Sequence, residues 1–250
     1  MIIMNIYTEY YLAHHGIKGQ KWGVRRYRNE DGTLTEEGRQ HLGLDEYEKD
    51  HNVDLKLKKG TKANRVISLA LYDEYVDPDL GGSEQRAKQY VKDTIKKDGE
   101  HKQTYISVDG VRNSGRENGK DFYVDWFTNE GYDPDHAVIA SYTLKKDAKV
   151  ASGKKVVDAL LEEIGDEKLN DVLENDGKLR NLTLEYTRNQ DLFNRVNKHF
   201  IDQGYDAIED INDPDTDMPL IVLNASKVLN RSNTIQTGMD ALKKMGIVYV

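Results

Sequence analysis

The clearest pattern along the chain is helical. In SEQRAKQYVKDTIKK, Ala87, Tyr90, Val91 and Ile95 recur at three- and four-residue spacing, and Ser83 stands where a capping hydroxyl belongs. KKVVDALLEEIG puts Val157, Leu160, Leu161 and Ile164 on one stripe, and DEKLNDVLEN keeps the helical period. DLFNRVNKHFIDQG carries Leu192, Phe193, Val196 and Phe200 before Gly204 ends it. Around these lie strand-like segments: LKLKKGTKANRVISLA, with Leu55 and Leu57 and then Val66 and Ile67, QTYISVDG, HAVIASYTLKKDAKVAS, GYDAIED and MPLIVLN. MPLIVLN is apolar on both faces from Leu220 to Leu223, as a central strand is. RNSGRENGK reads as a polar loop, and DFYVDWF fits a helix or a strand equally. The sum predicts an α+β body over residues 55–230.

The flanks differ. Residues 1–45 form an irregular head with a turn at Asp31-Gly32 and a short helix capped by Thr33 or Thr35 and stopped by Gly43. Residues 46–54, EYEKDHNVD, read as a polar linker. Residues 231–250 begin polar and end GIVYV, a tail that either adds structure or stays loose.

Composition narrows the picture. The chain has 250 residues, 36 Lys and Arg against 44 Asp and Glu, and a net charge of −8. With 37% hydrophobic and 32% charged residues it can bury one core of moderate size. There is no run of about 18 apolar residues, so a membrane-spanning helix is not expected. The N-terminus lacks the basic region of a secretory signal. The absence of cysteine excludes disulfides, thiolate zinc sites and cysteine nucleophiles, and fits a cytosolic or particle-internal protein.

Charge is uneven. Residues 14–28 hold Lys18, Lys21, Arg25, Arg26 and Arg28 and no acid, so a basic arm precedes an acidic body. Trp22 and Tyr27 can anchor in a partner's pockets while the arginines, Arg25 and Arg26 foremost, fork to carboxylates or phosphates. Any nucleic-acid contact is expected to be weak. No Walker loop, dinucleotide GxGxxG, HExxH or GxSxG is present. His14 and His15 point to opposite sides of an extended chain, and the acids Glu209, Asp210, Asp213, Asp215 and Asp217 lack the spacing of a calcium loop, so no metal is expected.

Two resemblances add to this. AHHGIKGQKWGVRRYRNEDGTLTEEGRQHLG resembles a signature of head-gene-cluster proteins of phages and prophages of Gram-positive bacteria, over roughly residues 12–43. It implies phage origin, a location in the host cytoplasm or the virion, and contact with phage head proteins through that segment. The ordered set KKGTKANRV, TYISVD, AVIASYTLKKDAKVAS, QGYDAIED and PLIVLNASKV is similar to ADP-ribosyltransferase-like domains of phages and toxins, over about residues 57–229. That likeness implies a two-sheet core with flanking helices and transfer of ADP-ribose from NAD⁺ to a host macromolecule, with no membrane partner. Carried over residue by residue, Arg65 holds the NAD⁺ body and Ser107 braces the site from its strand. Tyr105 and Tyr123 are its aromatics, with Phe122 as the alternative stacking ring. Glu209 is the favoured acid, with Asp215 and Asp217 as alternatives, because D-T-D stands where the family usually carries E-x-E. The same departure motivates a second expectation, a non-enzymatic virion or host-interaction protein that keeps the fold.

Overall fold

The computed structural model describes residues 26–108, 133–175, 178–211 and 220–240. Two sheets organise them. The larger contains β1 (Leu55–Leu57), β3 (Thr104–Ile106), β5 (Ala148–Ala151), β6 (Ala207–Glu209) and β7 (Leu220–Val222), in the order β1-β5-β6-β7-β3. Its pairs are antiparallel except β5 with β6, which run parallel. The smaller contains β2 (Lys62–Ser68), β4 (Ala137–Leu144) and β8 (Leu229–Thr237), antiparallel in the order β2-β4-β8.

The helices are α1 (Glu36–Leu42), α2 (Leu44–Asp50), α3 (Tyr72–Val76), α4 (Glu84–Gly99), α5 (Gly153–Glu163), α6 (Asp166–Glu174), α7 (Leu179–Arg188), α8 (Gln190–Asp202) and α9 (Ala225–Val228). Helices α5 to α8 form the long crossover that a parallel β5–β6 pair requires. They cover one face of the large sheet in a core containing Val156, Leu160, Leu182, Tyr186, Val196, Phe200, Ile208 and Ile221. The other face packs on the small sheet. There Ile106, Val150, Leu220 and Val222 meet Ala63, Ile67, Val138, Ala140 and Leu144, and the apolar stripe of α4 (Tyr90, Val91, Ile95) closes the side. Strand alternation explains the division, since Tyr105 packs with the first core and its neighbour Ile106 with the second.

The helical period and the caps read from sequence are present. Ser83 accepts from the Arg86 N–H at the start of α4, and Thr35 rather than Thr33 caps α1. MPLIVLN supplies β7, buried throughout and flanked by β6 and β3. HAVIASYTLKKDAKVAS, read as one strand segment, is two strands in different sheets, because the polar Lys145-Lys146-Asp147 turn redirects the chain. Residues 46–50, read as part of a polar linker, instead complete α2. Gly43, with φ of 72°, ends α1 and at once opens α2, which buries Leu44 and Tyr47 in the same core as α5 and α8. The polar stretch from Asn230 belongs to strand β8. DFYVDWF and RNSGRENGK lie outside the described residues. Among the described residues, no helix is long and apolar enough to cross a membrane.

Candidate functional site

The two sheets touch where β3 runs on past Ile106. Ser107 pairs with Asn64 of β2, donating its N–H to the Asn64 carbonyl at 2.8 Å and accepting the Asn64 N–H at 3.0 Å. Asn64 is therefore the residue opposite Ser107, and Arg65 is the next along β2. Asn64 continues the polar row, its Oδ1 accepting from the Ser141 hydroxyl of β4 at 2.9 Å.

Arg65 reaches the neighbouring strand. Its Nη1 donates to the Tyr105 carbonyl at 3.4 Å, and its guanidinium carbon lies 5.8 Å from the centre of the Tyr105 ring. Three of the residues singled out in the sequence, Arg65, Tyr105 and Ser107, are thus brought to one junction from segments about 40 positions apart. A second nitrogen is committed as well: Nε donates to Asp98 Oδ1 at 2.7 Å. Asp98 is buried on the last turn of α4, accepts from the Tyr142 hydroxyl at 3.4 Å, and pairs with Arg231 of β8 at 3.2 Å. One carboxylate between two guanidiniums leaves the cluster with one net positive charge. It is held without full neutralisation beside the negative end of α4.

Tyr105 is half-buried. Burial, and next the Asp210 carboxylate, push its hydroxyl up to about 12, with Arg65 pulling the other way. Burial likewise raises the Tyr186 hydroxyl, which also feels Tyr105 and Asp210 and donates to Asn197 Oδ1 at 3.0 Å. Asp210, itself buried, is the acid whose charge Tyr105 feels. The signal was strand alternation: consecutive acids at the end of β6 must leave in opposite directions.

Glu209 is 1% exposed and turned to another task. Its Oε2 accepts the Gly153 N–H at 2.7 Å, at the first position of α5, and meets His51 Nδ1 at 3.2 Å. A carboxylate at a helix N-terminus is well placed for the helix dipole. Gly153 is required there, since a Cβ would lie 2.0 Å from the Tyr47 hydroxyl oxygen and 2.9 Å from Glu209 Oε2. Nearby Asp54 ties β1 to the same helix end, accepting from the Ser152 N–H (3.1 Å), Lys155 Nζ (2.8 Å) and the Tyr205 hydroxyl (2.7 Å).

Of the arm, Trp22 and Arg25 lie outside the described residues, as do Tyr123, Phe122, Asp215 and Asp217. Arg26 is exposed, bonds the Tyr27 hydroxyl and pairs with Glu37 at 3.6 Å. The arginine that anchors the head is Arg28. It is buried, and its guanidinium donates to the Gly32 carbonyl, to Asn170 Oδ1 at 3.0 Å and to Asp166 Oδ1 at 2.5 Å on α6. Tyr27 stacks on His41 at 4.1 Å and joins the helical core. Among the described residues, no group of three or more His, Asp or Glu side chains is arranged to hold a metal.

A family of unknown function (DUF7211) matches residues 5–29, a short stretch that overlaps the basic arm and of which only Arg26 to Asn29 are described. No curated protein and no solved structure matches the chain.

Proposed function

We propose that the chain is an ADP-ribosyltransferase-like effector of phage origin that takes NAD⁺ at the junction of its two sheets and moves ADP-ribose to a host macromolecule. The observation that carries this reading is the Asn64–Ser107 bridge, with Arg65 and Tyr105 against it. The side chains suit the substrate. Arg65, 25% exposed and part of a cluster with surplus positive charge, attracts the pyrophosphate. Tyr105, held neutral by its raised hydroxyl, offers a ring face to the cation. Asp210, rather than Glu209, is the carboxylate that stabilises positive charge developing on the ribose. The bond from ribose C1′ to nicotinamide breaks with its electron pair going to nicotinamide. The acceptor's nucleophile then bonds C1′ and releases its proton.

A second reading is favoured by one observation. The Nε of Arg65 is spent on Asp98, and Glu209 is sealed against α5, as in a chain that keeps the fold for binding alone. One experiment decides between them. Full-length protein is incubated with NAD⁺ labelled in the adenylate phosphate and a bacterial lysate. The transferase reading expects a labelled band, lowered at least about tenfold in Ser107→Ala and in Asp210→Asn, the loss of one transition-state contact. No label together with no nicotinamide release would leave the binding reading alone.

A further inference from the structure

His51, which meets Glu209 through Nδ1, lines a cavity distinct from the sheet junction. Glu209 Oε2 already accepts the Gly153 N–H, so the carboxylate acts as an acceptor, and the hydrogen of the 3.2 Å contact belongs on His51 Nδ1. In neutral imidazole the lone pair then sits on Nε2, at the far edge of the ring. The ring is fixed in that orientation by stacking on Tyr47, with centroids 4.2 Å apart and planes within 10°. The His51 backbone is fixed as well, its carbonyl accepting the Lys154 N–H at 2.8 Å.

The buried carboxylate, the oriented imidazole and the locked ring would be an unusual investment for packing alone. His51 lines a cavity of about 370 Å³ between α2 and the start of α7. That volume lies in the range of small-molecule sites. Lys178 and Arg180 stand on one wall, and Glu46 and Asp50 on the other. Glu46 is paired with Lys49 at 2.5 Å, whereas Arg180 is exposed at the mouth.

We propose that this cavity binds a small hydroxylated anion, with His51 Nε2 accepting a hydrogen bond from the ligand's hydroxyl and Arg180 and Lys178 receiving its phosphate or carboxylate. Glu209 is the positioning residue, setting the tautomer of His51. The site is independent of the NAD⁺ reading and stands or falls separately.

The test uses the full chain labelled with ¹⁵N, observing the imidazole nitrogens of His51 at neutral pH. The expected spectrum is the Nδ1–H tautomer, converting in Glu209→Gln to a mixture. Glycerol 3-phosphate, which carries both groups, is then titrated against glycerol and against sulfate at equal ionic strength. Saturable movement of the Nε2 resonance with glycerol 3-phosphate alone, weakened about tenfold in Arg180→Ala, supports the site. An Nε2–H tautomer, no movement, or movement unchanged in Arg180→Ala overturns it. Arg180 is exposed, so its variant tests binding without testing the fold.

Discussion

Two buried acids, one at the end of β6 and one on the last turn of α4, show how differently a carboxylate can be used. Glu209 meets a backbone N–H at the start of α5 and an imidazole that is stacked on Tyr47. Asp98, at the sheet-to-sheet side, stands between two guanidiniums. The first orients; the second neutralises. Removing Glu209 leaves polar groups short of a partner, whereas removing Asp98 leaves two partly exposed cations facing each other.

That contrast predicts an order of stabilities. Asp98→Ala is expected to cost most, about 3–5 kcal/mol, as in breaking a buried ion pair by deleting one member. Urea denaturation measures it, and a cost below that of Glu209→Gln would erase the distinction. Glu209→Gln should lose about 1–3 kcal/mol, because the amide can still accept from Gly153 but its charge is gone. Gly153→Ala should cost about 1–3 kcal/mol by overpacking against Tyr47, and the loss should shrink when combined with Tyr47→Phe.

Asp54→Asn sharpens the comparison from the partly exposed end, with an expected loss of about 1 kcal/mol. Burial pushes the Asp54 carboxyl up, but hydrogen bonds from Lys155, Tyr205 and the Ser152 N–H outweigh it, and the net direction is downward. A carboxyl depressed in the folded state stabilises above its unfolded value of about 3.9, and that contribution is lost as the pH falls through the folded value. The gap between wild type and Asp54→Asn should therefore be level from about pH 5 to 7 and close in more acidic solution. A gap that widens on acidification would contradict the assignment.

The long helices were legible because they bury stripes at a strict period and carry their caps, as Ser83 and Gly204 do. MPLIVLN was legible because a strand buried on both faces has no polar side to disguise it. Helix α2 was not, because LDEYEKD sets five charged residues against two buried apolar side chains, and only Leu44 and Tyr47 reveal its inner face. Strand β8 hid for the opposite reason: NRSNTIQT pairs through its backbone at a sheet edge, which needs no apolar alternation. Motif order singled out Arg65, Tyr105 and Ser107, which meet at the junction. It could not say that Asp98, from a helix surface reading as solvated, would take the Nε of Arg65. Nor could it say that Glu209 would be turned to His51 and the start of α5.

The most direct test of the junction is a titration of the ¹⁵N-labelled chain with NAD⁺, following backbone amide resonances. The account predicts saturable shifts at Asn64, Arg65 and Ser107, with His51 and Gly153 unmoved. Shifts confined to His51 and Gly153, or none at Ser107, would contradict it.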